Sequence, residues 1–286
     1  MKQPLITVVL PCYNRASTIV HSVQSVAQQE YENVEILLVD DGSSDNTEAL
    51  VAGLNLPNLR YIKHEKNLGA NAARNSGIAE ARGELVAFQD SDDRWDSSKL
   101  SLQLEALQTH AAGIAFCAFE RIHDGKIVRI PKPGYHVKPG CECRFESLLQ
   151  GSYISCQTLI ARRELLLEAG LFDEALPRLQ DWDLCLRLAK RHPVVYVDEA
   201  LVQVHVSSDS MTREASKLLL AASMILDKHA PDFRDHPQAA AMLCTNVAGE
   251  ALRHGNLPGF LRFAAKAVVM GGVHYPAALR ALHRRR

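Results

Sequence analysis

The sequence predicts an α/β domain wound around a mostly parallel central sheet, with a helical appendage behind it. Three observations carry this expectation. Short β-branched apolar runs alternate with amphipathic helical spacing through the first hundred residues, the signature of successive βαβ units. The connections between them are short, and the right-handed crossover rule then fixes the winding. From Arg213 onward only helical patterns remain, separated by Pro and Gly breaks.

Taken in order, strands are expected at Leu5–Leu10, Val34–Val39, Leu59–Ile62 and Leu85–Phe88. Helices are expected at Thr18–Gln29, Thr47–Gly53 and Ala70–Ala81, starting near Ser17, Asp45 and Asn67. After Asp96 the pattern changes. A helix at Lys99–Leu107 precedes strand-like segments at Ile114–Phe119 and Lys126–Ile130, and the Gly- and Pro-containing stretch from Pro131 to Gly140 reads as a lid. Helices at Arg163–Ala169 and Trp182–Lys190 and strands at Val194–Val197 and Leu201–Val206 complete a domain ending near Thr212. The appendage, residues 213–286, reads as helices at Ala215–His229, Gln238–His254, Gly259–Val269 and Ala277–His283, the pair flanking Gly255-Asn256 forming a hairpin.

Composition narrows the class without naming a partner. The 286 residues are 47% hydrophobic and 23% charged, enough to bury one substantial core. Lys plus Arg total 32 against 33 for Asp plus Glu, so no global field selects nucleic acid or an acidic polymer. The apolar segment Leu5–Leu10 is too short for a signal-peptide core, and no run approaches the roughly 18 apolar residues of a spanning helix. Seven scattered cysteines suit reduced thiols better than a disulfide framework, and Cys141 with Cys143 lacks the second ligand pair that structural zinc requires.

In an open parallel sheet, ligands bind beyond the carboxyl ends of the strands. Three predicted ends carry polar clusters: Pro11-Cys12-Tyr13-Asn14, Asp40-Asp41-Gly42-Ser43 and Asp90-Ser91-Asp92-Asp93. Two carboxylates one residue apart in a turn, Asp90 and Asp92, can face a hard cation such as Mg²⁺ or Mn²⁺ that bridges diphosphate oxygens and neutralises a leaving group. Asp40 and Asp41 admit two readings. They either form a turn feeding the next helix, or accept from a pyrimidine N–H or a ribose hydroxyl, with Tyr13 offering a flat face to a base.

These motifs resemble those of the family-2 inverting glycosyltransferases, which have the GT-A fold. The similarity lies in the segments Thr7–Asn14, Val39–Thr47, Asn67–Gly77 and Phe88–Trp95, and covers roughly residues 4–210. It implies that Pro11, Tyr13 and Asp41 surround the donor base and ribose with Asp40 beside them, and that Arg74 lies near the diphosphate or ribose. Asn14 and Ser91, within the same motifs, join that donor set. Asp90 and Asp92 would hold donor sugar and metal, with Asp92 the more direct ligand. Leu179–Arg187 is similar to the family's acceptor-side motif and makes Asp181 the catalytic base, with Asp183 a weaker alternative; Gln180 stands where many members carry Glu. His205, followed by Ser208 and Ser210, resembles a segment that approaches the diphosphate or metal. Residues 1–96 then form the nucleotide-sugar half and 97–212 the acceptor half.

The implied reaction is transfer of a sugar from a nucleotide-diphosphate donor, a UDP-sugar by resemblance, to an acceptor hydroxyl. The expected acceptor is a saccharide or lipid-linked saccharide of cell-surface polysaccharide or lipopolysaccharide biosynthesis, with Mn²⁺ or Mg²⁺ as cofactor. The expected location is cytoplasmic. Peripheral contact with the inner membrane, suggested by Arg280, Arg284, Arg285 and Arg286, stays open, as does an oligomer. The main rival is a noncatalytic sugar-nucleotide-binding or scaffolding protein of the same fold. A phosphoacceptor signalling domain would leave Asn67–Gly77 unexplained, and a dehydrogenase is disfavoured because no G-x-G-x-x-G follows the first strand.

Overall fold

A computed structural model describes residues 3–123, 126–131, 142–143, 145–151, 153–205 and 215–271. Its elements are, in chain order, β1 (Ile6–Cys12), α1 (Ile19–Ala27), β2 (Val34–Asp40), α2 (Thr47–Ala52), β3 (Leu59–Lys63), α3 (Ala70–Glu80), β4 (Leu85–Phe88), β5 (Arg94–Trp95), α4 (Lys99–Thr109), β6 (Ile114–His123), β7 (Lys126–Ile130) and β8 (Glu142–Cys143). They continue with α5 (Phe145–Leu149), β9 (Leu159–Arg162), α6 (Arg163–Glu168), α7 (Gln180–Ala189), β10 (Val194–His205), α8 (Ala215–Lys228), α9 (Ala230–Asp235), α10 (Pro237–Arg253) and α11 (Leu257–Gly271). Two compact units result. The first holds Met1–Cys143, Ile154–Glu174 and Arg187–Val206, and the second holds Arg144–Tyr153, Ala175–Leu186 and Ser207–Arg286.

The first unit is built on one mixed sheet of order β3-β2-β1-β4-β9-β6-β10-β5, with β7 on β6 and β8 on β10. Strands β1, β2, β3 and β4 run parallel, so their carboxyl ends share one edge. Every residue of β1 and β2 is buried, as expected for strands covered on both faces. The ladder runs two residues further along β1 than its apolar pattern predicts, pairing Pro11 with Val39 and Cys12 with Asp40. The first aspartate of the pair therefore belongs to β2 rather than to the turn.

The sheet also departs from the parallel expectation at its centre. Short β9 inserts antiparallel between β4 and β6, where Leu159-Ile160-Ala161 supplies too few residues to announce a strand by alternation. The two strands expected at Val194–Val197 and Leu201–Val206 form one strand, β10, with irregular register between Val197 and Gln203. The two-residue strand β5 returns from the Asp90–Asp93 turn to pair with Val202 and Gln203 of β10.

Helix α3 lies tightly on β1 because residue 77 is glycine: a Cβ there would stand 2.3 Å from Val9 Cγ1. The helix start differs from expectation. Gly69, at φ 97°, precedes α3, and no side chain of its own segment caps it. In the second unit, α9 occupies a stretch expected as a break, using Pro231 within its first turn, where a missing N–H costs nothing. The expected lid and the helix at Ala277–His283 lie outside the described residues. No described helix is long and apolar enough to cross a membrane.

Candidate functional site

The site is assembled at the shared carboxyl edge of β1, β2 and β4. Asp41, just past β2, is 3% exposed and anchors its centre. Its Oδ1 accepts from the Leu68 N–H at 2.9 Å and lies 2.8 Å from His64 Nδ1, while Oδ2 accepts from the Gly69 N–H at 2.8 Å. The cap missing from the α3 segment thus comes from a different loop: a carboxylate at a helix amino end meets both unpaired amides and the positive end of the dipole. A carboxylate offers about four acceptor positions. Three are taken by these contacts, and the fourth is on Oδ2. Gly42, at φ 77°, permits the approach, since a Cβ there would stand 2.8 Å from the Lys66 carbonyl carbon.

Asp40 is fully buried beneath this centre. Its carboxylate accepts from the Ser43 N–H at 2.7 Å and from the Tyr61 hydroxyl, so it fixes the turn that presents Asp41. Burial, then the bond to Asp40, pushes the Tyr61 hydroxyl far above its ordinary pKa. Burial and the same carboxylate raise the Cys12 thiol well beyond the range of a nucleophile.

The loops after β1 and β2 are stitched together. The Asn14 N–H donates to Ser43 Oγ and the Ser44 N–H returns to Asn14 Oδ1, both at 2.9 Å. The Arg15 N–H donates to Thr47 Oγ1 and the Ala16 N–H to Asp45 Oδ2, both at 3.0 Å. Asn14 adopts φ 51°, a conformation asparagine tolerates, and Tyr13 beside it is 44% exposed. Asp45 sits near the start of α2 as expected, accepting from the Thr47 N–H at 3.0 Å. Burial tends to raise its carboxyl, but the bonds from Thr47 and Ala16 outweigh that and hold it below the usual range. Pro11 is buried within β1.

At the end of β4, the Gln89 side chain donates to the Asp93 carbonyl at 2.8 Å and Ser22 Oγ donates to the Asp90 carbonyl at 2.8 Å, which closes the Asp90–Asp93 turn. Arg74 reaches it from α3: its Nη2 donates to Asp90 Oδ1 at 2.8 Å, with the guanidinium 5.6 Å from the Phe172 ring. Asn71 and Asn75, one helical turn apart, hold that ring's segment. Asn71 donates to the Asp173 carbonyl and Asn75 to the Phe172 carbonyl, each at 3.0 Å, and the Phe172 N–H returns to Asn75 Oδ1. The whole Ala70–Gly77 stretch is therefore a scaffold for Arg74.

Ser91 is buried, while Asp90 and Asp92 are half-exposed. One Asp90 oxygen is given to Arg74, and the carboxylates of this turn are of the ligand type that hard divalent cations take. Among the described residues no group of three or more His, Cys, Asp or Glu side chains gathers at metal-binding distance. His205 is the last residue of β10, paired in register with Ile122, and its side chain lies outside the described residues.

Asp181 belongs to the second unit, in the first turn of α7, where its Oδ1 accepts from the Trp182 N–H at 2.8 Å. Burial lowers the pKa of nearby Arg178, and Glu250 and Asp181 oppose that shift. Asp183 is fully buried in an ion pair: Lys228 Nζ lies 3.0 Å from Oδ2 and His229 Nε2 lies 2.9 Å from Oδ1. That burial disfavours Asp183 as a base. Trp182 is core of the same unit, its Nε1 donating to the Leu148 carbonyl at 2.7 Å.

His64 and Ser76 were not singled out by sequence, and their signal is tertiary: His64 Nε2 lies 3.0 Å from Ser76 Oγ, so serine, imidazole and Asp41 form a chain. Its connectivity is that of a hydrolytic triad, yet Ser76 lies inside α3, where the helix uses the backbone N–H groups that an oxyanion would need. The chain instead fixes the Asp41 carboxylate.

Comparison with known proteins gives this arrangement a family. The glycosyl transferase family 2 model matches residues 7–168. The chain is 34% identical to the UDP-Glc:alpha-D-GlcNAc-diphosphoundecaprenol beta-1,3-glucosyltransferase WfgD of Escherichia coli over 241 residues, covering 84% of this chain and 90% of that protein. Some relatives are longer, and the chain spans 36% of the length of a Rickettsia felis glycosyltransferase to which it is 31% identical. In structure it is similar to TarS of S. aureus in complex with UDP-GlcNAc, with a TM-score of 0.67 at 19% identity, covering 91% of this chain and 90% of that one. It is also similar to the mannosyltransferase PcManGT of Pyrobaculum calidifontis in complex with GDP-Man and Mn²⁺, with a TM-score of 0.69 at 19% identity, covering 99% and 80%. The curled sheet with its polar carboxyl edge is thus the GT-A fold, and the chain belongs to glycosyl transferase family 2.

Proposed function

We propose that the protein transfers a sugar from a nucleotide-diphosphate donor, a UDP-sugar, to an acceptor hydroxyl with inversion at the anomeric carbon, in the assembly of a cell-surface polysaccharide or lipopolysaccharide. The observation that carries this reading is the gathering of Asp41, the Arg74–Asp90 pair and the Asp90–Asp92 turn at one edge of the sheet. The UDP-sugar in the names of WfgD and the TarS complex supports the choice of base. Residues 1–96 bind the donor and 97–212 the acceptor, with 213–286 a helical appendage, in a cytoplasmic enzyme peripheral to the inner membrane.

In this mechanism the exposed Tyr13 ring packs against the base, and the fourth acceptor position of Asp41 receives a ring or ribose donor. Arg74 brings positive charge next to the donor phosphates. Asp92, with Asp90 and His205, would hold Mn²⁺ or Mg²⁺, and the cation would supply charge neutralisation at the diphosphate. Asp181 takes the acceptor proton. The new bond from acceptor oxygen to anomeric carbon forms as the bond to the phosphate oxygen breaks, and its electron pair leaves with the nucleoside diphosphate. The name of WfgD gives alpha-D-GlcNAc-diphosphoundecaprenol as its acceptor, which supports a saccharide or lipid-linked saccharide as the acceptor class here.

Calorimetric titration with a panel of nucleoside diphosphates and their sugars, with Mn²⁺ and with chelator, tests the donor site. UDP binding that needs metal and is lost in Asp92→Ala is the expected result. Asp181→Asn keeps donor binding and lowers kcat by about 10²- to 10⁴-fold. Undiminished turnover of that variant would refute the base assignment. Metal-dependent binding by a wild-type protein that never turns over favours the noncatalytic alternative.

A further inference from the structure

A cavity of about 290 Å³ lies in the first unit between α1, β5 and the part of β10 that pairs with β5, and the donor-site reading uses none of its lining residues. That size is at the lower end for small-molecule sites, which start at about 300 Å³. Its walls are held from within. Ser25 Oγ accepts from the Trp95 N–H at 3.3 Å, Gln29 Nε2 donates to the Asp96 carbonyl at 2.6 Å, and the Asp96 N–H donates to the Leu201 carbonyl at 2.9 Å.

The polar side chains around the cavity are unspent. His21 and Gln24 on α1 and Gln28 just past its end follow at spacings of three and four residues, so they share one face. Arg94 and Gln203 are partners across the β5–β10 ladder. Among the described residues none of these five side chains meets a hydrogen-bonding or ionic partner. Asp96, the carboxylate of the lining, already accepts through Oδ1 from the Ser98 N–H at 3.0 Å and the Ser98 hydroxyl at 2.6 Å. Trp95 in the wall is 6% exposed, and its buried Nε1–H meets no acceptor, an unusual state for an indole donor. Amides both donate and accept, as sugar hydroxyls do, and a guanidinium with no protein partner matches a carboxylate. A peptide would find no exposed large apolar side chain here, since Leu201 and Trp95 are both buried.

We propose that this cavity is a second saccharide site, taking a sugar unit that carries one carboxylate, a hexuronate in chemical class. The carboxylate pairs with Arg94, and the ring hydroxyls exchange hydrogen bonds with His21, Gln24, Gln28 and Gln203. The site does not rest on the donor assignment, because none of its residues belongs to the cluster at the carboxyl edge. Its consequence is a hold on an acidic saccharide that leaves the donor cluster free.

The test is titration of the full-length chain, labelled with ¹⁵N at tryptophan, with galacturonate, galactose and inorganic phosphate, followed through the indole N–H signals by NMR. The chain has two tryptophans, and Trp95→Phe or Trp182→Phe tells one signal from the other. Galacturonate should move the Trp95 signal with a Kd of about 1 mM, the affinity that ordinary ligand efficiency gives a single sugar, and leave the Trp182 signal in place. Arg94→Gln should raise that Kd about tenfold, and galactose should bind the wild type about as weakly, because each lacks the same charge-assisted contact. Asp92→Ala leaves the shift unchanged, which separates this site from the donor site. Tighter binding of digalacturonate marks a unit within a chain as the ligand, and equal binding marks the free sugar. A Trp95 signal that stays still well above that Kd, or that moves equally with phosphate or equally in Arg94→Gln, overturns the inference.

Discussion

Replacing Lys99 by methionine should change how stability depends on pH, by an amount the structure sets. Lys99 opens α4 and is fully buried. Its Nζ donates to Gln103 Oε1 at 2.7 Å and lies 3.8 Å from the Trp95 ring centre. Burial lowers its pKa from 10.5 to about 8, with Cys117 nearby acting in the opposite direction. Below about pH 8 both folded and unfolded chains carry the proton, and the burial cost is present in full. Between about 8 and 10.5 the folded chain releases it while the unfolded chain retains it, so the native state gains stability as pH rises. The whole interval is worth about 3 kcal/mol, at about 1.4 kcal/mol per pH unit. Urea unfolding of Lys99 and Lys99→Met proteins across this interval isolates the effect as a difference of two curves. The lysine protein should gain about 3 kcal/mol relative to methionine by the alkaline end. A difference that stays flat, or falls, would refute a lysine held near neutrality by burial.

Two further outcomes follow from buried charges. Asp41→Asn removes a charge-assisted acceptor from the Leu68 and Gly69 amides and presents a donor to one of them. It should destabilise the protein by about 2–4 kcal/mol in urea unfolding and abolish UDP binding in calorimetry, whereas Ser76→Ala leaves most of both intact. Asp183→Asn breaks the buried pair with Lys228 and His229 and should cost about 3–5 kcal/mol, read in the same unfolding assay. A loss under about 1 kcal/mol, the scale of an exposed pair, would place that carboxylate in solvent instead.

The strands of the parallel part of the sheet were legible because β1, β2 and β4 are buried on both faces and therefore apolar almost throughout. Their ends were less legible, since ladder pairing carries β2 into Asp40, a residue whose polarity argues for a turn. Strand β9 escaped notice because three apolar residues suit a helix entry as well as a strand, and only the neighbours β4 and β6 select between them. The motif residues were visible by type and spacing, but their division of labour was not. Asp40 and Asp41 are adjacent carboxylates in sequence. One is sealed by Ser43 and Tyr61, and the other spans to a helix start 27 residues away. Lys99 and Asp183 likewise carry no local sign of burial, because their partners come from packing: the Trp95 ring in one case and α8 with its following turn in the other.

The stitching of the first two loops has a consequence for transplanting specificity between relatives. Residues 14–16 and 43–47 satisfy one another's backbone N–H groups, so they behave as a single inherited cassette. A chimera that exchanges only the loop after β1 leaves Asp45 and Thr47 facing a foreign backbone, and one that exchanges only the loop after β2 strands the Asn14 amide. Donor preference should move between such enzymes only when both loops travel together.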